Sequence, residues 1–211
     1  MKIDNQGERN QVLVPHEPAG NLDVSIKGND NVLRIGSGCR FPRAQIEIRG
    51  DHCEIDIGDH CVLIGEFRCR DHRTVLRIGA KTTSMGLKIT MHERGSITIG
   101  DDCMFSGEVR MDTSDMHSVI DLATRQRINP PADIQIGKHV WVGYGVYLMK
   151  GARIGAGSVI GACSIVTRAV PPHSAAAGAP AKVIRKGITW DRARLPLDKP
   201  IASAVRLAPD E

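Results

Sequence analysis

Between residues 136 and 170 an aliphatic side chain returns at every sixth position along the chain. These positions are filled by Ile136, Val142, Leu148, Ile154, Ile160 and Val166. Four positions after each of them comes a smaller residue, such as Val140, Ala152 or Ser158. No helix has a period of six, whereas three short strands of about six residues make one 18-residue coil of a parallel β-helix. The pattern therefore predicts an all-β solenoid whose aliphatic positions stack into one apolar core.

The repeat continues upstream, with changes of phase. Ile-Gly pairs are separated by 22, 21, 21, 37 and 18 residues and begin at Ile35, Ile57, Ile78, Ile99, Ile136 and Ile154. The 37-residue step is one coil plus 19 residues, which predicts an excursion loop over residues 112–133. Because a loop of this length in a regular solenoid is usually functional or disordered, we look for chemistry there. About seven coils are expected in all.

Three segments follow from this pattern. An N-terminal segment over residues 1–25 precedes the repeat, and the hexapeptide-repeat β-helix occupies residues 26–186. The prolines after Val170 cannot extend the stack and are expected to close the last coil. Residues 187–211 show no strong period, and we expect a short helix or an extended arm that packs on the coils or on a neighbouring chain.

Composition excludes several classes of function. The net charge is +4, and no block of Lys and Arg is interleaved with aromatic residues, so no nucleic-acid partner is expected. The N-terminus has no apolar signal region, and no run of 18 apolar residues occurs, so we expect a cytoplasmic protein without a membrane span.

The cysteines are expected to be structural. Cys39, Cys61 and Cys103 each follow an Ile-Gly pair by four positions, which is the slot that small core residues fill elsewhere in the repeat. Buried, reduced thiols suit a cytoplasmic protein. No C-x-x-C pair occurs, so no metal site is expected.

Four motifs occur in order along the second half of the chain, namely SDMHSVID, IGKHVWVG, VIGACSIVT and GAPAKVIRKGITW. Through them the segment from about residue 99 to residue 190 resembles the left-handed β-helix acyltransferases, and within these the sugar and capsular-polysaccharide O-acetyltransferases. The resemblance implies left-handed coiling, acetyl-CoA as cosubstrate and a sugar or polysaccharide acceptor. It also implies a homotrimer with active sites between subunits.

His117 is the candidate catalytic residue. It lies in the excursion and matches the histidine that does the chemistry in these enzymes, and imidazole is suited to remove a hydroxyl proton near neutral pH. Ser114, Asp115 and Asp121 are open candidates to orient its ring, and His72 is the rival base. His60 and His139 follow Ile-Gly pairs by three positions and are expected at corners of the coil.

The resemblance also assigns the acetyl-CoA site. Trp141 should face outward, where it either flanks the thioester and steadies the departing thiolate or lies in a subunit contact. Five residues match positions that line the pantetheine chain, namely Gly143, Tyr144, Gly161, Ala162 and Thr167. Three residues match positions that contact the phosphates, namely Arg168, Lys182 and Arg185.

Several alternatives are weighed against this interpretation. A zinc enzyme of the β-helix carbonic anhydrase type would need two histidines five residues apart, and no such pair exists. N-acetylation of a nucleotide-linked aminosugar would use the same donor site and stays open. An inactive β-helix scaffold also stays open, although a scaffold would not need the histidine-bearing excursion.

Overall fold

The aliphatic positions of the repeat point inward from short parallel strands that stack coil upon coil. The computed structural model describes residues 1–197, and in this range it contains strands and turns but no helix. The strands are β1 (Lys2–Asn5), β2 (Gln11–Leu13), β3 (Ala19–Ile26), β4 (Val32–Ile35), β5 (Arg40–Ile48), β6 (Glu54–Ile57), β7 (Val62–Cys69), β8 (Val75–Ile78), β9 (Thr83–Met91), β10 (Ser96–Ile99), β11 (Met104–Phe105), β12 (Val109–Asp112), β13 (Ile134–Ile136), β14 (Trp141–Val142), β15 (Tyr147–Leu148), β16 (Arg153–Ile154), β17 (Val159–Ile160), β18 (Ile165–Val166), β19 (Ala169–Val170), β20 (Ser174–Gly178) and β21 (Ala181–Lys186).

Parallel pairing organises the strands into three faces. The first face contains the N-terminal parts of β3, β5, β7 and β9, followed by β11, β14, β17 and β20. The second face contains β1 and the C-terminal parts of the same four long strands, followed by β12, β15 and β18. The third face contains β2, β4, β6, β8, β10, β13, β16 and β19. The predicted parallel β-helix is confirmed.

The stack starts earlier than the repeat pattern indicated. Strands β1 and β2 pair in parallel with β3 and β4, so most of residues 1–25 form the first coil instead of a segment that precedes the coils. The eight strands of the third face correspond to eight coils, one more than the seven expected. The aliphatic period is weak here because the strands of this first coil are mostly exposed.

The longer spacing of the early coils has a structural cause. Strands β3, β5, β7 and β9 run for eight or nine residues through the corner between the first and second faces. Their ladders contain register shifts near this corner, for example between Leu63 and Gly65. These extra residues account for spacings of 21 and 22 in place of 18.

The core is a set of aliphatic columns closed on all three faces. Leu33, Ile55, Leu76, Ile97 and Ile134 occupy one register column on the third face and are fully buried. Burying each such side chain contributes about 1.5–3 kcal/mol. The few aromatic side chains in the core, Phe41, Phe67 and Phe105, are also fully buried.

The glycine of each Ile-Gly pair is required by the close approach of the next coil. A Cβ on Gly58 would lie 2.6 Å from the Ala80 nitrogen, and one on Gly100 would lie 2.6 Å from the Lys138 nitrogen. The left-handed backbone conformation falls two residues later, for example at His60 with φ of 58°. The corner position predicted for His60 and His139 is therefore confirmed.

The cysteines of the small-residue slot are buried as predicted. The thiols of Cys39, Cys61 and Cys103 donate to glycine carbonyls of the next coil, at sulfur-to-oxygen distances of 3.1, 3.2 and 3.2 Å. Burial raises the pKa of the Cys103 thiol to about 12. These side chains combine small volume with a donor that satisfies a corner carbonyl.

The end of the chain folds back onto the coils. Strand β21 pairs antiparallel with β20 and closes the last coil. Residues 187–197 contain no helix, and the rest of the predicted arm, residues 198–211, lies outside the described residues. Over residues 1–197 no helix has the length and apolar character needed to cross a membrane.

Candidate active site

The excursion leaves the β-helix at the corner between the second and third faces. Strand β12 ends at Asp112 and β13 begins at Ile134, within one residue of the predicted loop limits. An antiparallel bridge between Ile120 and Arg127 narrows the loop towards its tip. The excursion therefore has internal structure of its own.

An ion pair fastens the excursion to the preceding coil. The guanidinium of Arg127 donates to both carboxylate oxygens of Glu93, at 2.6 and 2.8 Å, and the Ser114 hydroxyl donates to the same carboxylate. Hydrogen bonds from Arg127, and then from Ser114, lower the pKa of Glu93 to about 2. Glu93 thus stays charged over the whole range in which the protein is expected to work.

A second contact joins the excursion to Lys150 in the following coil. The Lys150 ammonium donates to the Asp115 carboxylate at 2.6 Å and to the Pro130 carbonyl at 3.0 Å. Asn129 donates from its amide to the same carboxylate at 2.8 Å. Hydrogen bonds from Lys150 and Asn129 lower the pKa of Asp115. Both ends of the excursion are therefore held by charged side chains.

His117 is held by its main chain, while its ring lies in solvent. Its nitrogen donates to the Asp115 carbonyl at 2.7 Å, and its carbonyl accepts from Asn129 at 2.8 Å. The side chain is exposed, and no hydrogen bond to its ring is made from residues 1–197. A fixed backbone with a free imidazole suits a base that must reach a proton on an incoming molecule.

The side chains proposed to orient this ring are engaged elsewhere. Ser114 bonds to Glu93, Asp115 bonds to Lys150 and Asn129, and Asp121 accepts from Thr124 at 2.7 Å. The rival base His72 lies at the same corner two coils earlier, where its Nδ1 accepts from the Asp51 nitrogen at 3.0 Å. Within one chain, therefore, none of the three candidates orients His117.

Trp141 lies outward on the first face, as predicted. Its side chain is 37% exposed, and it stands between Met104 and Val159 in the parallel ladder. An exposed indole of this size is available to a ligand or to a neighbouring chain.

The first face connects Trp141 with the predicted phosphate contacts. Trp141, Val159, Ala175 and Arg185 form one cross-strand row, which spans three strand spacings or about 14 Å. A neighbouring row ends at Lys182, which pairs with Ala177. Between its two ends this surface carries small side chains, so a slim extended molecule could lie along it.

The predicted pantetheine-lining residues divide between two corners. Tyr144, Gly161 and Ala162 lie at the corner between the first and second faces, and Tyr144 and Ala162 are exposed. Gly143 lies at the same corner but is buried, since a Cβ there would lie 2.8 Å from the Ala162 nitrogen. Its contribution to a groove would be the shape of the turn.

Thr167 and Arg168 lie at a different corner of the β-helix. They form the corner between the second and third faces, the same corner that the excursion leaves, and both are exposed. The residues predicted for one site thus fall into two groups, with Trp141 in one and His117 in the other.

The sequence analysis missed a cluster that anchors the C-terminal arm beside Trp141. Trp190 is buried and stacks on the His139 ring with 4.3 Å between centroids. Its indole donates to the His139 carbonyl at 2.8 Å, and His139 in turn contacts Asp102 at 2.8 Å. The guanidinium of Arg192 lies over the indole, 5.4 Å from its centroid, and donates to Asp102. The only sequence signal was a second tryptophan beyond the repeat.

In the described part of the chain, no group of three or more His, Cys, Asp or Glu side chains could hold a metal ion. What the two groups above offer is an exposed imidazole, an exposed indole and surface cations.

Comparison with known proteins places these observations in a family. Residues 133–168 match the family model described as bacterial transferase hexapeptide (six repeats). A polysialic acid O-acetyltransferase of Neisseria meningitidis is 33% identical over 147 residues, which cover 69% of this chain and 68% of that protein. A polysialic acid O-acetyltransferase of Escherichia coli O1:K1 / APEC is 40% identical over 116 residues, which cover 54% of this chain and 38% of that protein.

Solved structures extend the similarity over the whole fold. The polysialic acid O-acetyltransferase OatWY superposes with a TM-score of 0.85 at 31% identity, covering 92% of this chain and 93% of that chain. The polySia specific acetyltransferase NeuO superposes with a TM-score of 0.82 at 34% identity, covering 91% of this chain and 89% of that chain. The N-terminal coils, which carry no assignable motif, are therefore shared with these two structures.

Proposed function

We propose that this chain, which belongs to the hexapeptide-repeat acetyltransferases and is an O-acetyltransferase of a sugar or polysaccharide, takes acetyl from acetyl-CoA and uses His117 as its general base. The observation that carries the assignment is the position of His117. It is the one histidine of the excursion, its backbone is held on both sides, and its ring is free to meet a substrate.

The chemistry follows from what an alcohol needs. A hydroxyl attacks a thioester slowly until its proton is being removed, and the exposed imidazole of His117 can accept that proton. The hydroxyl oxygen then bonds to the carbonyl carbon, the carbon–sulfur bond breaks, and the imidazolium returns the proton to the departing thiolate. In this scheme the indole N–H of Trp141 donates a hydrogen bond to the sulfur as negative charge develops there.

The donor would lie along the first face. Trp141 at one end and Lys182 and Arg185 at the other support this proposal, since the small side chains between them leave room for a pantetheine chain. The two cations would contact the phosphates of CoA. Gly143, Tyr144, Gly161 and Ala162 would shape the neighbouring corner.

The active site is proposed to form between subunits of a homotrimer. His117 leaves the chain at the corner between the second and third faces, whereas Trp141 lies on the first face. The excursion also exposes the apolar side chains of Met116, Val119, Ile120, Leu122 and Ile128, which suit a contact with a neighbouring chain. Three-fold symmetry would bring the excursion of one subunit to the first face of the next, and Thr167 and Arg168 with it.

The acceptor is proposed to be a polysaccharide. The Neisseria meningitidis relative and OatWY are named polysialic acid O-acetyltransferases, and NeuO is named a polySia specific acetyltransferase, which favours a hydroxyl over an amine and a polymer over a free sugar. The place of action is proposed to be the cytoplasm, where acetyl-CoA is found, and the six free cysteines are consistent with a reducing compartment.

Replacing His117 with Ala tests the assignment. Loss of a general base should lower kcat by about 10²–10⁴-fold, with the KM for acetyl-CoA little changed because the donor binds elsewhere. The readout is release of CoA thiol in the presence of polysaccharide, together with thermal unfolding. His72→Ala is the matched control and should keep wild-type turnover. Wild-type turnover in the His117 variant would remove this residue from the mechanism.

A further inference from the structure

The second face of the N-terminal coils carries a polar track that leads to the root of the excursion. Its upper part is a cavity of about 450 Å³ at the outward positions of β1, β3, β5 and β7. A smaller cavity of about 240 Å³ follows over β7, β9 and β12, and Arg68 lines both of them. The lower cavity includes Asp112, after which the excursion begins.

The strand register makes this track continuous. Arg68 pairs with Thr90, and Thr90 pairs with Asp112, so these side chains form one outward row across three coils. From β1 to β12 the track crosses five strand spacings, or about 24 Å. It is therefore longer than a single sugar, and it ends at the loop that carries His117.

Three arginines in the upper cavity share one carboxylate. Glu47 lies 2.6 Å from Arg49, 3.7 Å from Arg68 and 3.6 Å from Arg70. Arg68 has a second partner in Glu66 at 2.5 Å, whereas the Nε atom of Arg70 is buried without a hydrogen-bond partner. The guanidinium donors thus exceed the carboxylate acceptors that the described residues place beside them.

The chemistry of the lining points to an acidic sugar. A guanidinium presents paired donors that match a carboxylate, and this cluster holds three of them. Asp4 and Asp23 line the same cavity and are suited to accept hydrogen bonds from sugar hydroxyls. A mixed lining of this kind suits an acidic carbohydrate better than a polyphosphate, which has no hydroxyl donors to offer the carboxylates.

We propose that the second face of the N-terminal coils binds a polymeric acidic acceptor in extended form, with Arg49, Arg68 and Arg70 holding its carboxylates. This inference rests on the proposed function, since it supplies the path by which a chain of acceptor sugars reaches His117. Units bound two or more coils away from the excursion would anchor the polymer while a unit near Asp112 is acetylated.

Binding of the unmodified polymer tests this track without any chemistry. The probe is fluorescently labelled polysialic acid, with neutral dextran for comparison, and the measurement is the Kd at two salt concentrations without acetyl-CoA. The Arg49→Ala/Arg70→Ala variant should bind about tenfold more weakly or worse and lose part of the salt dependence. Glu47→Gln should bind several-fold more tightly, because the carboxylate that competes for the arginines is gone.

The matched control lies on the third face. Arg34 and Arg77 are exposed on this face. The Arg34→Ala/Arg77→Ala variant removes two positive charges, as the track variant does, but it removes them away from the track. Its Kd should stay within about twofold of the wild-type value. The proposal is overturned if wild type does not bind the polymer, or if both double variants bind alike. It is also overturned if Arg49→Ala/Arg70→Ala lowers the scattering mass, because the face would then be a subunit contact.

The two proposals fail in different ways. If the polymer binds through Arg49 and Arg70 but is never acetylated, the track stands and the proposed function falls. If the polymer is acetylated and the arginine variant shows an unchanged KM for it, the function stands and the track falls. In the Arg49→Ala/Arg70→Ala variant, the KM for long polymer should rise by a larger factor than kcat falls. The effect on the KM for a short oligomer should be much smaller.

Discussion

Single residues in this protein owe their chemistry to which side of the coil they occupy. Five of the six cysteines lie inside the prism, whereas Cys163 lies at an exposed corner next to Tyr144 and Ala162. Thiolate is the reactive form, and burial both hides the inner thiols and, for Cys103, raises the pKa to about 12.

Thiol labelling should therefore find one fast group in each native chain. A thiol reagent at pH 8 should modify Cys163 quickly, and the other five cysteines only on unfolding. Cys163→Ser is the matched control and should abolish the fast phase. Rapid modification of Cys39, Cys61 or Cys103, read by mass spectrometry of peptides, would contradict the register described here.

Sequence predicts the inner residues well and the contacts of the arm poorly. The six-residue period placed the aliphatic columns and the cysteine slot because each position depends on its neighbours in the same repeat. His139 lies at a corner as predicted, but it also stacks on Trp190, 51 positions away. No local pattern reports such a contact, since it depends on where the chain returns after its last coil.

Among the elements of the fold, the excursion differs from the strands in what holds it. The strands are fixed by burial, whereas the excursion is fixed by Glu93 with Arg127 and by Asp115 with Lys150. Charged contacts of this kind depend on pH where burial does not.

Lowering the pH should release the excursion before the coils unfold. The pKa of Glu93 in the folded chain, about 2, lies below its ordinary value of 4.5, so its contribution is complete above about pH 4.5 and is lost as the pH falls towards 2. The protection factors of residues 113–133 against hydrogen exchange, which are corrected for the intrinsic exchange rate at each pH, should therefore fall in that window at a temperature where the coils stay protected.

Glu93→Gln supplies the control for this effect. The amide cannot pair as an anion with Arg127, so the protection factors of the excursion should be low already at pH 7 and nearly independent of pH. The exposed pair between Glu54 and Arg77 lies on the third face, and Glu54→Gln should leave the excursion unchanged. Equal pH profiles for wild type and Glu93→Gln would show that other contacts hold the loop.

Strand β21 carries two of the three predicted phosphate contacts, Lys182 and Arg185. Changing Lys182 and Arg185 to Ala should raise the KM for acetyl-CoA about tenfold with a smaller fall in kcat, because contacts remote from the thioester act on ground and transition states alike. Arg34→Ala/Arg77→Ala again removes two charges elsewhere and should leave this KM unchanged. An unchanged KM in the β21 variant would remove both residues from the donor site.

The lengths of the early strands could not be predicted from the spacing of the repeat. The 21- and 22-residue spacings show that the early coils are longer than 18 residues, and in the structure four strands that run through the corner contain the extra residues. A loop inserted at the corner or a longer strand through it can contain the same extra residues, so the spacing alone could not distinguish between the two. The bounds of the excursion were predicted accurately because it interrupts a regular six-residue repeat.

At the scale of the whole molecule, one chain contains the residues proposed for the active site without bringing them together. The β-helix buries its own core, so its coils need no partner to form. The exposed imidazole and the exposed indole, however, belong to different faces, and the apolar tip of the excursion has no cover within the described chain. Sequence alone predicted this division only through the family resemblance, because assembly depends on surfaces that carry no period.

Subunit complementation tests this account most directly. A His117→Ala chain and a Trp141→Ala chain are each expected to be nearly inactive when assayed alone. If each site takes His117 from one subunit and Trp141 from the next, random exchange should restore both residues in about a quarter of the sites and raise activity towards that fraction of wild type. Activity that stays at the mean of the two parents after exchange, or a fully active monomer by scattering mass, would show that the site lies within one chain.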